Sequence, residues 1–500
     1  MMIGVIALAA AGCAAGYFFL PTKYEKANET GWEVMAKMGA NLSVQAKSEE
    51  QLEQLEKSQI RKIDIPFINK EGTVVKRPMW LYMPKEVNGP VPVVYIPHYE
   101  MKEDALETHL YTERGWAVAA PADFQNAYNG QMQEDDLVFN NAAIYTLKHM
   151  EEIDQDRFML IGGSAGGYMT LMLNALQTGF LASIANVPIS NYYYLNQYFL
   201  NVDKLNKPWK TRAKVRGLLG LATEKGANKL LGFLKGNYQL PVPWVGIMGG
   251  MFEKTEIADD LEYWEAFSPV ALAADFTSPI MTSHNTSDVL VPLNQTSEEH
   301  SYDTTETMPK GYSAALDRSV PGPLGHTLLE ELDSAKTLVT VTKQEADGKT
   351  VHAPFDENVM FNINIYDNGA PKSYGDHGSL LGVGQLDYTA YPEAMMKKTN
   401  RETEQLTKEK VLLLLERYLG KSKQLPPHEN VDDTVYGSLA VYRKEVEDSF
   451  AKAVKDHTFE TIDSLVREGI EAAAADREAL AEAWSEILGK ISERRDYEKR

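Results

Sequence analysis

Residues 156–171 read DRFMLIGGSAGGYMTL, and this stretch decides the fold. Phe158 to Ile161 form a short continuous apolar run, the pattern of a strand buried on both faces of a parallel sheet. GYMTLMLNAL, from Gly167, reads as a helix. Between the two lie Gly162-Gly163-Ser164-Ala165-Gly166-Gly167. A serine in a Gly-x-Ser-x-Gly turn between strand and helix stands on a sharp, strained bend with its Oγ clear of the sheet. The flanking glycines answer a need for close backbone approach, where a side chain would collide. A glycine-rich turn holding an idle serine is the plain alternative, and the strand–turn–helix setting weighs against it.

Working outward, the same buried-strand style recurs in VPVVYIP (91–97), WAVAAP (116–121) and ASIANVP (182–188). Helical segments such as VFNNAAIYTLKHM (138–150) separate them, and alternating buried strands and helices mean a mostly parallel sheet flanked by helices. IRKIDIPFI and VVKRPMWLYMP add two strands ahead of this series, and SPIMTSH (278–284) and VMFNINIY (359–366) add two after it. About ninety residues separate ASIANVP from SPIMTSH, far beyond an ordinary crossover. We read them as a helical cap inserted over the sheet. It is rich in aromatics, among them Tyr192, Tyr193, Tyr194, Tyr198, Phe199, Trp209 and Trp244. Each alone suits a core; together they point to a hydrophobic acyl or aromatic substrate.

A serine hydroxyl needs a base to take its proton, and the base needs a carboxylate to orient it. In chain order the expected sequence is serine, then acid, then histidine. Asp288, just past the strand SPIMTSH, is the candidate acid. Two histidines follow it. His326 lies 38 positions on in a Pro/Gly-rich stretch, and His377 lies 89 positions on in Tyr374-Gly375-Asp376-His377-Gly378. Distance favours His326. Topology favours His377, because the base belongs in the loop after the last strand and VMFNINIY leads directly into it. We assign His377, with the extra length an insertion between acid and base.

On these residues the chain from about 75 to 420 resembles an α/β-hydrolase of the prolyl-oligopeptidase-like and acyl-esterase group. DRFMLIGGSAGGYMTL resembles the nucleophile turn of that group. His284 to Pro292 (HNTSDVLVP) resembles its H-G-T-x-D-x-x-V-P loop, with Asn285 in place of glycine, and ERGWAVAAPADF resembles another of its strands. The resemblance implies hydrolysis through an acyl-enzyme by Ser164, His377 and Asp288. Ile96-Pro97-His98-Tyr99-Glu100 departs from the His-Gly-Gly of many esterases. It is more similar to the Pro-Tyr segment of cocaine-esterase and X-prolyl-peptidase relatives. Carried over, the Tyr99 hydroxyl would join the Ala165 N–H in an oxyanion hole; the alternative is that Tyr99 only packs. Ester cleavage is the expectation, because fewer than a hundred residues precede the third strand and oligopeptidases of this group carry a large propeller there. An X-prolyl or other exopeptidase is the alternative of the same fold. A non-catalytic, membrane-associated scaffold is the alternative of another class.

The totals set outer bounds. Five hundred residues exceed one ordinary domain, and 44% hydrophobic with 24% charged residues is ordinary for a globular protein. A net charge of -21 repels phosphate backbones, so nucleic acid is not an expected partner. The lone Cys13 forbids an intrachain disulfide, the histidines form no HExxH, and no metal or cofactor is expected. Residues 3–20 carry no charge and are just long enough to span a bilayer. Ala11-Gly12-Cys13 resembles a lipoprotein processing site, which would put the body outside. Lys23 and Lys26 after the span would keep it in the cytoplasm. The two readings stand side by side.

The organisation expected is therefore an anchor or signal segment (1–20) and a polar stalk (21–60). The hydrolase core follows in two parts (61–188 and 278–422) around the cap (189–277). A charged helical extension (423–500) closes the chain. In that extension Leu480, Trp484, Ile487, Leu488 and Ile491 make an apolar stripe, which packs on its own protein or joins a second copy in a homo-oligomer. The substrate expected is a small-molecule ester or a short peptide.

Overall fold

A computed structural model describes residues 59–398, apart from 69–73, 100, 102–105, 123–133, 149, 177–178, 203, 205–259, 303–310, 346–350, 371–376, 378–385 and 388. The expected anchor, stalk and C-terminal extension, the middle of the expected cap, Trp209 and Trp244 lie outside the described residues.

The described strands are β1 (Gln59–Ile68), β2 (Val74–Met83), β3 (Val91–Tyr95), β4 (Ala117–Pro121), β5 (Ile153–Gly163), β6 (Ala182–Asn186), β7 (Ile280–Asn285), β8 (Val339–Glu345), β9 (Val351–His352), β10 (Phe361–Asp367) and β11 (Leu386–Asp387). Nine of them form one sheet in the order β1-β2-β4-β3-β5-β6-β7-β10-β8, and β9 pairs with β11 apart from it. β2 runs antiparallel to β1 and to β4, and every other pairing in the large sheet is parallel. Each strand anticipated from the sequence is present. The core starts at Gln59, two residues before the expected boundary, because β1 pairs with β2 from Gln59↔Met83 onward.

Burial follows the sequence style. β3, β4, β6 and β7 are buried at every residue, as central strands of a two-faced sheet must be, although β7 turns polar after Ile280 and Met281. Three longer helices cover the faces or pack beside them: α1 (Leu106–Thr112), α2 (Glu134–Lys148) and α3 (Ala165–Leu176). All twelve residues of α3 are buried, so the helix that leaves the serine turn is wedged into the core rather than laid on it. Phe158 and Leu160 of β5 point into one core cluster and Met159 and Ile161 into the other, the period-two alternation of a central strand.

β8 was not anticipated. It is half-exposed along its length, enters the sheet beside β10, and makes the edge. β10 slots between β7 and β8, with Phe361↔Ile280 on one side and Phe361↔Val339 on the other. The chain between Asp288 and β10 thus leaves the sheet, makes α5 (Leu328–Ser334, which follows α4 at Leu261–Ala266), forms the outer strand and comes back inside it. The extra length between acid and base is this excursion.

Candidate active site

All strands from β3 to β10 that carry candidate residues are parallel, so their C-terminal ends share one edge of the sheet. Ser164 follows β5, Asp288 follows β7 and His377 follows β10. Strain collects at this edge. Among the described residues, three of the four non-glycine residues with positive φ are His98 (80°), Ser164 (55°) and Val187 (40°), just past the ends of the neighbouring strands β3, β5 and β6. For a β-branched residue such as Val187 that conformation is a genuine outlier, held only where its surroundings over-determine it.

The serine turn is closed by contact with backbone on all sides. A Cβ on Gly162 would stand 2.3 Å from the Gly166 carbonyl oxygen. One on Gly167 would stand 2.9 Å from the Asn186 oxygen and 3.0 Å from Pro188 Cα, and one on Gly166 3.0 Å from the Pro97 oxygen. A Cβ at Gly162 or Gly167 would force backbone to shift, and one at Gly166 would crowd its neighbours. The Ser164 N–H donates to the Asn186 carbonyl (2.8 Å), and the Tyr168 N–H donates to the Ser164 carbonyl (2.9 Å), so the bend is tied to β6 and to the first turn of α3. Ala165 opens α3, and amides in the first turn of a helix have no intrahelical acceptor. Its N–H is therefore a donor available at the turn.

Asp288 and His377 are brought together. His377 Nδ1 lies 2.7 Å from Asp288 Oδ2, and both side chains are buried. The other carboxylate oxygen, Oδ1, accepts the N–H groups of Leu290 (2.8 Å) and Val291 (2.9 Å). Both oxygens are thus occupied, and the imidazole is held by Nδ1 with Nε2 left for other work. His326 is not part of this arrangement. It lies half-exposed at the surface, where its Nδ1 pairs with Glu331 Oε1 (2.5 Å) beside α5.

Tyr99 lies at the turn as well. The ring of Tyr99 is 3.4 Å from where a Gly166 Cβ would stand, and it meets the His98 ring edge-on at 4.6 Å. The Tyr99 N–H donates to the Pro97 carbonyl (3.1 Å) across His98, a tight three-residue γ-turn that explains the positive φ of His98. That amide is therefore engaged. His98 itself is buried, and burial together with the nearby Arg77 guanidinium pushes its pKa down to about 3. It stands neutral at the site.

The aromatics at the start of the expected cap belong to the core rather than to an open acyl pocket. Tyr192, Tyr194, Tyr198 and Phe199, in helical turns at 192–202, are buried in the same cluster as α3. Their hydroxyls have internal work: Tyr194 donates to the Ala314 carbonyl and Tyr198 to the Val289 carbonyl, each at 2.6 Å. Tyr194 and Tyr198 also line, with Tyr193, Asp317 and Leu324, a cleft of about 320 Å³.

Sequence reading missed one group of residues here. His284 and Thr286 were read only as members of the HNTSDVLVP motif, with no role of their own. Thr286 Oγ1 donates to the Gly369 carbonyl (3.0 Å) and accepts the Asn368 N–H (3.0 Å), tying the acid loop to the start of the loop that bears His377. Their signal was present in the HNTSD segment; the pairing of β7 with β10 gives Thr286 its partners, and the loop after β7 gives His284 the Val291 carbonyl. Among the described residues no group of three or more His, Cys, Asp or Glu could hold a metal ion, and no helix is long and apolar enough to cross a membrane.

Residues 119–218 match the model of the prolyl oligopeptidase family. No curated protein matches the chain. Among solved structures, it is similar to an acylaminoacyl peptidase bound to Z-Gly-Gly-Phe-chloromethyl ketone. That match has 15% identity, a TM-score of 0.37, and coverage of 68% of this chain and 40% of the other. The Pyrococcus horikoshii acylaminoacyl peptidase matches at 14% identity and TM-score 0.38, covering 74% of this chain and 44% of the other. Oligopeptidase B from Leishmania major matches at 11% identity and TM-score 0.37, covering 70% and 37%. This chain spans less than half the length of each of the three. Its sheet order and its serine turn give the chain an α/β-hydrolase fold, within which residues 119–218 are similar to the prolyl oligopeptidase family.

Proposed function

We propose that the protein is a serine hydrolase that cleaves acyl bonds of short peptides through an acyl-enzyme. The observation that carries the reading is the buried Asp288–His377 pair at the sheet edge that also bears the strained Ser164. In this reading Ser164 attacks the carbonyl carbon. His377 Nε2 takes the hydroxyl proton and returns it to the leaving amine, and Asp288 stabilises the imidazolium in between. The Ala165 N–H and the Tyr99 hydroxyl receive the negative charge that develops on the carbonyl oxygen. Water then repeats the sequence to release the acid. Peptide amides come ahead of the ester that the sequence alone favoured, because the matched segment belongs to a peptidase family. Ester cleavage is the second reading, supported by the similarity of Pro97-His98-Tyr99 to the Pro-Tyr segment that cocaine-esterase relatives share with X-prolyl peptidases.

The test is fluorophosphonate labelling together with turnover on a panel of X-Pro and Ala nitroanilides and p-nitrophenyl esters. We expect labelling and turnover in the full chain, and loss of both in Ser164→Ala by about 10⁶-fold in kcat, with the melting temperature kept. Undiminished labelling of the variant would remove Ser164 from the site. We also place the protein at a membrane through the uncharged residues 3–20. Deleting residues 1–20 should move it from the detergent phase to the aqueous phase with turnover intact. A full-length chain already wholly aqueous would end that reading.

A further inference from the structure

His284 is the penultimate residue of β7 and is buried. Its Nε2 lies 2.7 Å from the carbonyl oxygen of Val291, seven residues on. A carbonyl can only accept, so Nε2 carries the hydrogen. Burial holds the His284 pKa below its usual value, against the opposing pull of the Asp288 carboxylate, so the ring is neutral and Nδ1 has no hydrogen. That Nδ1 is buried and has no hydrogen-bond partner among the described residues. A buried polar atom left unmatched costs stability, and an apolar side chain would fill the space without that cost. The cost makes sense if the other nitrogen does something an apolar group cannot.

What it holds is the clamp on the acid. Val291 offers its carbonyl to His284 and its N–H to Asp288 Oδ1, and the Leu290 N–H completes the pair. With Oδ1 pinned there, Oδ2 is turned to His377 Nδ1. The charged or titratable groups acting on His284 are Asp288 and His377. We propose that His284 is a positioning residue: through Val291 it sets the rotation of the Asp288 carboxylate, and through Asp288 the orientation of the base. This rests on the catalytic reading above. The work asked of His284 is donation from the Nε2 position, not titration, so another donor reaching the same place should replace it.

The experiment compares His284→Gln, His284→Asn and His284→Leu in the full chain. Glutamine can present its amide N–H near the Nε2 position, whereas asparagine stops near Nδ1 and leucine donates nothing. Turnover is expressed per fluorophosphonate-labelled site, so that a smaller folded fraction is not mistaken for slower chemistry. We expect kcat within about threefold of the parent for glutamine. For asparagine and leucine we expect a loss of roughly 10- to 100-fold, the scale of a displaced catalytic group, with KM nearly unchanged. The acidic limb of kcat/KM should move to lower pH in the weak variants by about half a unit or more, because a misaligned carboxylate supports the imidazolium less. An unchanged kcat per labelled site and an unchanged limb in His284→Asn would mean that His284 only fills space, and would overturn the proposal. A glutamine variant as slow as asparagine would overturn it too. If leucine fails to fold, the glutamine–asparagine pair still decides. Full turnover in Ser164→Ala, measured alongside, would strike the catalytic reading itself, a result distinct from either failure of His284.

Discussion

The serine turn and the acid–base corner are two halves of one candidate site, built in opposite ways. The turn is local: eleven residues of β5 run straight into α3, and nearly all its constraints are backbone against backbone within a few residues or with adjoining loops. The corner is assembled from afar. Asp288 and His377 stand 89 positions apart, joined by one hydrogen bond after an excursion through α5 and β8. A site half of which is steric and local, and half polar and distant, should fail in different ways when each half is disturbed.

The largest effect should come from breaking the distant half. His377→Ala is expected to lower kcat by about 10⁵–10⁶, with fold intact, because losing the base costs about as much as losing the nucleophile. His326→Ala, which removes only a surface pair with Glu331, should leave turnover within about twofold. Measuring the two variants together checks the corner, and the reverse pattern would move the base to His326. Next comes the donor shared between the halves. Tyr99→Phe should cost roughly 10²–10³ in kcat with little change in KM, as for a donor used mainly in the transition state. Wild-type kcat in that variant would leave Tyr99 as packing alone.

The smallest effects concern stability and sharpen the steric side. Gly162→Ala forces a methyl to 2.3 Å from a backbone oxygen and should destabilise the fold by about 1–3 kcal/mol, seen as a lower urea midpoint, and should also distort the turn. Gly115→Ala is the contrast. Its φ is 79°, yet nothing lies within 4 Å of the added Cβ, so only the left-handed conformation is taxed, at about 1 kcal/mol, and turnover should be kept. Equal effects of the two on turnover would mean that the turn is not held by close backbone approach.

The glycine pattern around Ser164, the buried-strand runs and the order of acid before base all follow from the sequence by itself. Each reports a constraint between near neighbours: a Cβ that cannot fit, or a strand with no polar face. From these came the parallel sheet, Ser164 as candidate nucleophile, and His377 through the strand character of VMFNINIY. Other features were settled only by tertiary structure. β8 is polar and half-exposed, so its TVTKQE run carries little apolar signal, and it is a strand because β10 offers it an edge. The early cap aromatics each suit a core in the sequence and only together point to a substrate. They turn out to be core because the helical turns at 192–202 pack against the cluster that contains α3. The parts of His284 and Thr286 are hydrogen bonds to Val291 and Gly369, and no local pattern encodes them. Polar contacts of this kind depend on angle and on a partner seven or more residues away, so they exist only once the strands have paired.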